Sequence, residues 1–212
     1  MSDAPWLARL EGHARRAAEG ADTAHDFGHV ARVVRAAREI CARDGIDPTV
    51  PVAAATLHEL FSYPKGHPDS PRSGEVCAER ARDVLRTEGA PSDIIEPVCR
   101  AIREHPFSLG VTPETVEGRV LQDADRLDAL GAIGLARMWA TCQAMGRPLY
   151  APDDPFCAAR EPDDKAWGLD HVYKKLLKVP AGLHTAAARA LAEDRVAFMR
   201  AYLAQLEREI GA

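Results

Sequence analysis

The sequence predicts an all-α fold, and three observations carry that prediction. Apolar residues recur three and four apart over much of the chain, the stripe of helices that bury one face. Strand signals are nearly absent: aromatics make up 6% of the residues, and no segment alternates apolar and polar side chains for long. Gly45, Gly89 and the proline-rich run 64–71 punctuate the periodic stretches.

The elements follow in order. Over 26–44 the residues Phe27, Val30, Val33, Val34, Ala37, Ile40 and Cys41 form an amphipathic stripe, and Gly45 stands where a left-handed residue closes a helix. A helix over 50–61 is apolar almost all round, which makes it central. Pro64, Gly66, Pro68 and Pro71 make the next stretch a loop. Helices are expected over 73–88, 91–104 and 113–130. Gly131 then bends or breaks the chain before a further apolar helix to about 145. The Pro- and Asp-rich segment 146–168 is too long for a plain connector and reads as a functional loop or a mobile lid. Helices over 169–178 and 185–210 complete the chain, the last with Leu191, Phe198, Met199, Tyr202, Leu206 and Ile210 on one stripe. The expectation is one helical domain over 1–212, with its core at 22–145 and a long C-terminal helix packed across it.

Composition narrows the function. The 212 residues are 46% hydrophobic and 28% charged, ordinary globular proportions. A net charge of −5 and the lack of a basic, aromatic stripe argue against a nucleic acid duplex as partner. No apolar run reaches membrane-spanning length, so no membrane partner is expected. The N-terminal residues lack a secretory pattern. The five cysteines are odd in number and hold no C-x-x-C pair, so buried free thiols and a cytoplasmic location are expected. The oligomeric state, a homo-oligomer included, stays open.

The histidines and acids are more informative. His29 stands in the first turn of the first long helix, where a satisfied core histidine is the plain alternative to a ligand. His58 and Glu59 sit side by side in the most apolar helix, and burying an imidazole with a carboxylate is costly without compensation. A divalent cation would compensate both. Asp123, Asp125 and Asp128 cannot all face one way on a helix; two are expected in solvent and Asp125 inward, with Asp123 the alternative. His58-Glu59 also begins an H-E-x-x-H zinc-peptidase pattern, but position 62 is Ser62, which removes that reading.

The segment His29-Val30-Ala31-Arg32-Val33, then Leu57-His58-Glu59, then Ala124-Asp125-Arg126-Leu127 resembles the HD-domain phosphohydrolase superfamily, with its H-x-x-R-V, L-H-D and A-D-x-L motifs on separate helices. The resemblance covers at least 25–140. The context His25-Asp26-Phe27-Gly28-His29, the run 121–134 and the stretch 171–178 look like a subgroup of small bacterial HD hydrolases that includes nucleotide pyrophosphohydrolases. It implies an HD-like helical bundle and a metal site of His29, His58, the residue at 59 and Asp125. The chain departs from the motif at Glu59, where Asp is expected. The dipeptide His25-Asp26 precedes the first motif, so Asp26 is better placed as a helix N-cap or as an acceptor behind a ligand histidine.

Such a set suits Mn²⁺, Fe²⁺, Co²⁺, Ni²⁺ or, less well, Mg²⁺. The implied chemistry is attack of a metal-bound hydroxide on phosphorus, in a nucleotide or another small phosphate ester. The residues expected to act are His58, Glu59 and Asp125, with His67 as proton donor to the leaving group. The loop after the second motif offers Lys65, His67 and Arg72 for binding. His105 can approach the same cavity or simply meet the helix dipole. Lys165, Lys174, Lys175 and Lys178 cluster near the long loop; Lys174 and Lys175 are candidates for phosphate contacts, a solvated face being the equal alternative. Glu59 motivates a second reading, a non-catalytic nucleotide-binding or regulatory module with a degenerate metal site.

Overall fold

A computed structural model of the chain describes residues 4–20, 26–64, 67–106 and 109–211. The described residues are helical, with no strand among them. They resolve into two compact units, Met1–Asp125 and Arg126–Ala212.

The first unit holds α1 (Pro5–Ala17), α2 (Phe27–Asp44), α3 (Thr49–Leu57), α4 (Ser73–Thr87), α5 (Ser92–Glu104) and α6 (Val116–Leu127) as far as Asp125. α3 is its axis, packing against α1, α2 and α5. All seven residues Pro51, Val52, Ala53, Ala54, Ala55, Thr56 and Leu57 are buried, and the alanines let three neighbours approach one helix. Pro51 lies in the first turn, where no intrahelical N–H bond is lost. The helix is shorter than its apolar run suggests. It ends at Leu57, and His58, Glu59 and Leu60 form a turn rather than its last residues. α1, which buries Trp6, Leu7, Leu10 and Ala14, was not among the expected helices.

α2 begins and ends as its sequence dictates. The Asp26 carboxylate accepts the His29 backbone N–H at 2.9 Å as an N-cap. Gly45 adopts φ 69° and closes the C-terminus. Val30, Val33, Ala37, Ile40 and Cys41 are buried as expected, and so is His29.

The second unit, Arg126–Ala212, begins with the end of α6 and holds α7 (Gly131–Ala144), α8 (Asp170–Lys174) and α9 (Ala186–Ile210). Gly131 takes φ 72° between α6 and α7, the break its position predicts. α7 packs on α9, and the Trp139 indole N–H donates to the Tyr202 hydroxyl at 3.1 Å. The buried face of α9 is Ala187, Ala188, Ala192, Met199 and Leu203; Phe198, expected on the stripe, points outward. Helix 169–178 is in fact the short α8 followed by a 3-10 segment, Leu176–Gly182, which contains Pro180.

Segment 146–168 is tied down by its own polar groups. Asp170 is fully buried and holds Arg160 through both carboxylate oxygens, at 2.5 and 2.8 Å, and the Asp163 N–H at 2.6 Å. Asp154 accepts the N–H groups of Ala158 and Ala159. Backbone bonds from Gly168 to Pro148 and from Leu169 to Leu149 close its base.

The acids of the 120s correct the sequence expectation. Asp123 and Asp128 are the buried ones, 0% and 3% exposed, while Asp125 keeps 27% of its side chain open. Burial of Asp128 is offset by Arg137, whose Nη1 lies 2.8 Å from the carboxylate. The helical geometry does separate the three, but a buried charge with a partner is tolerated and the sequence did not reveal Arg137 as one.

Candidate metal centre and adjoining cleft

Three helix ends meet in the first unit. The start of α2 supplies His29, the turn after α3 supplies His58 and Glu59, and the end of α6 supplies Asp125. His29 Nε2 lies 3.2 Å from His58 Nε2 and 3.4 Å from Asp125 Oδ1. One donor atom from each of these three residues lies within 4.8 Å of the others. Both imidazoles are buried, at 1% and 2% exposure, while the carboxylate keeps an opening to solvent.

The tautomer of His58 is fixed by its helix. Its Nδ1 donates to the Ala55 carbonyl at 2.7 Å, so the neutral ring carries its lone pair on Nε2, facing the cluster. Burial, the His29 and His105 imidazoles push its pKa from 6.5 down to about 3, against the opposing pull of Asp125. The ring is therefore neutral at any ordinary pH. Two nitrogens 3.2 Å apart, with a carboxylate beside them, form a donor set that suits a borderline divalent cation.

Glu59 stands at the rim. Its Oε1 is 3.9 Å from His29 Nε2, with 21% of the side chain exposed. It lies near the cluster without joining the compact group of three.

A cleft of about 410 Å³ shares His58 and Glu59 with this centre. Phe61, Tyr63 and Ser62 form one side of it, Ser73, Gly74 and Cys77 another, and His105 and Pro106 a third. Phe61 and Tyr63 meet edge to face, with centroids 4.8 Å apart. His105 stands edge-on to His58 at 5.4 Å, and its Nδ1 donates to Ile102 O at 2.6 Å. Both sequence readings of His105 are met at once: the ring binds the end of its own helix and lines the cavity.

The other predicted residues are distributed less favourably. His67 stacks on Tyr63 at 4.7 Å and accepts the Asp69 N–H through Nδ1 at 3.1 Å. Arg72 is exposed and lies 3.4 Å from Glu75. Neither is among the described residues that line the cleft. Lys65 and His25 lie outside the described residues. Lys174 and Lys175 belong to the second unit, where Lys174 pairs with Asp164 at 2.9 Å and the Lys175 N–H caps α8 through His171 O. Asp164 also holds His171 Nδ1 at 2.9 Å.

Two contributors escaped sequence reasoning. The Cys77 thiol, buried at the floor of the cleft, donates to Leu57 O and His58 O at 3.3 and 3.2 Å, tying α4 to the turn that carries His58. Burial pushes this thiol up to about 12, so it is no nucleophile. Gln122, one helical turn before Asp125, binds backbone of the α5 end; the spacing of three was the only available signal.

Comparison with known proteins identifies relatives of the chain. A family model described as HD domain matches residues 26–130. The uncharacterized protein YpgQ of Bacillus subtilis is 32% identical over 190 residues, covering 88% of this chain and 84% of the relative. The crystal structure of Bacillus subtilis YpgQ in complex with ADP superposes with a TM-score of 0.76 at 30% identity, over 98% of this chain and 97% of that one. A structure described as an HD-superfamily hydrolase from Bacillus thuringiensis gives 0.76 at 29% identity, over 97% of both chains. Among the described residues, no helix is long and apolar enough to cross a membrane.

Proposed function

The chain belongs to the HD-domain family, and on that premise we propose that it is a metal-dependent phosphohydrolase acting on a nucleotide. The observation that carries the reading is the convergence of His29, His58 and Asp125 from three separated helices within 4.8 Å. The similarity to an HD-superfamily hydrolase supports hydrolysis, and the ADP complex of Bacillus subtilis YpgQ supports a nucleotide.

His29, His58 and Asp125 would hold the cation, with Glu59 at its rim. A bound Mn²⁺, Fe²⁺, Co²⁺, Ni²⁺ or Mg²⁺ supplies Lewis acidity and offsets negative charge on a phosphoryl group. The chain's own groups do the rest. Ala55 O keeps the His58 lone pair on Nε2. His105 offers a ring nitrogen in the wall of the cleft, since its other nitrogen is committed to Ile102 O. Phe61 and Tyr63 give the cleft an aromatic lining beside His58 and Glu59. Cys77 and Gly74 add buried lining to the same cleft.

The test combines elemental analysis of the purified protein with phosphate and pyrophosphate release across nucleoside mono-, di- and triphosphates. Divalent metal and turnover lost in His58→Ala are expected. No release from any nucleotide by metal-loaded protein, with His58→Ala indistinguishable, ends the reading. The peripheral Glu59, 3.9 Å from His29, favours one alternative, a nucleotide-binding regulatory module without turnover. Glu59→Asp separates the two: a large gain of activity marks a degenerate site, and no change marks an enzyme adapted to Glu.

A further inference from the structure

Resting on the phosphohydrolase reading above, we propose that Gln122 is a positioning residue, one that sets the His105 wall of the cleft against the helix carrying Asp125. Gln122 is 1% exposed. Its Nε2 shares two hydrogens among Glu104 O at 3.4 Å, His105 O at 3.3 Å and Val111 O at 3.1 Å. The first two are carbonyls at the C-terminal end of α5, which have no partner within the helix. The third belongs to the segment that leads from α5 into α6. At an exposed helix end water satisfies such groups; here a buried amide from α6 does so.

His105 is thereby held at three points. Gln122 holds its backbone oxygen, Ile102 O holds its Nδ1–H at 2.6 Å, and its ring packs edge-on against His58 at 5.4 Å. The remaining ring nitrogen, Nε2, is left as an acceptor in a residue that lines the cleft. His58 is built the same way. It directly follows α3, its Nδ1 is bonded back to the carbonyl three residues earlier, and its terminal carbonyls are held by the Cys77 thiol from α4. Two helices thus end in paired histidines with matched tautomers, each end clamped by a buried side chain of another helix. A clamp needed only for stability would not require a histidine at either tip. The Gln122 clamp also joins the end of α5 to α6 one turn before Asp125.

The experiment uses the full chain with Gln122→Met, which keeps the volume and removes the donors. Gln122→Leu also removes the donors at similar length and carries the same comparison if the Met variant does not fold. Three readouts are taken: the long-range ¹H–¹⁵N spectrum of the His105 ring, calorimetric Mn²⁺ binding, and kcat and KM for the nucleotide cleaved best. The His105 ring signals are expected to shift. Mn²⁺ affinity is expected to stay that of the wild type. kcat/KM is expected to fall about tenfold to a hundredfold, as for residues that orient a functional side chain, with no further loss when Gln122→Met is added to His105→Ala. An unchanged ring spectrum in the variant that folds, or losses that add in the double variant, overturns the proposal. If the wild type cleaves no nucleotide, the phosphohydrolase reading fails, while the ring spectrum still decides whether Gln122 positions His105.

Discussion

His58→Ala separates two roles of this residue, a buried neutral imidazole and the metal ligand proposed above. His58 is 2% exposed, and its pKa is pushed from 6.5 to about 3. Between those values the unfolded chain binds a proton at this position and the native protein does not. Native stability therefore falls as pH drops below 6.5, by about 1.4 kcal/mol per unit. At pH 7.5 the effect is negligible; at pH 5 it is about 2 kcal/mol, and any native value below about 4 gives the same figure. The alanine variant loses the ring's packing and its bond to Ala55 O at every pH, but it carries no proton penalty. The stability gap between wild type and variant should thus shrink by about 2 kcal/mol from pH 7.5 to pH 5. Urea unfolding of both proteins in EDTA at the two pH values measures it. A gap that is the same at both pH values refutes a desolvated His58. At pH 7.5, Mn²⁺ at a hundred times its Kd should then add about 2.7 kcal/mol to the wild type and far less to the variant.

Three further outcomes follow from particular contacts. Asp125→Asn should weaken Mn²⁺ binding more than Glu59→Gln, because Asp125 belongs to the compact group of three and Glu59 does not; calorimetry giving the reverse order would relocate the centre. Arg160→Ala strips the buried Asp170 of its bidentate partner and should cost about 3 kcal/mol, or roughly 6–12 °C in Tm for a chain of this length; a scan within a degree of wild type would contradict the pairing. Cys77, 1% exposed with its pKa pushed to about 12, is about 10⁻⁴ thiolate at pH 8. Native iodoacetamide treatment should therefore modify the partly exposed Cys157 first, and an early adduct at Cys77 on peptide mapping would show the turn under His58 to be open.

The helical class and most helix positions were legible because each is local in origin, whereas the grouping of His29, His58 and Asp125 was expected only from the resemblance of three short motifs to a known family, which also put residue 59 among the ligands. A 3.6-residue stripe, an Asp26 cap and a Gly45 stop act within a few residues. What was not legible depends on partners distant in sequence. Asp128 read as a solvated acid because nothing near it in the sequence announces Arg137 as a buried counter-charge. The apolar run after Val50 read as helix through Phe61, yet the chain turns at Leu57, where the Cys77 thiol from α4 takes up the terminal carbonyls. Lys174 read as either a phosphate contact or part of a solvated face, and Asp164 in the preceding loop already holds it. α1 was not among the expected helices, although Trp6, Leu7, Leu10 and Ala14 form a buried stripe and Pro5 stands at the first helical position, where proline is well suited.

The departure at Glu59 is best understood through that early end of α3. In a helix, residue 59 would be fixed in direction, and an extra methylene would push its carboxylate past the cluster. In a turn following Leu57 the backbone is no longer bound to that direction, and the longer side chain can settle beside His29 at 3.9 Å. Asp125 then carries the negative charge nearest the imidazoles, at 3.4 Å, while keeping its opening to solvent. The result is a centre with a tight inner group of two imidazoles and one carboxylate and a fourth group held slightly apart. An arrangement of that kind still neutralises a divalent cation, because charge acts over the extra half ångström almost undiminished. The substitution therefore leaves the inner group of two imidazoles and one carboxylate in place and sets only the fourth carboxylate outward, at the end of a longer side chain.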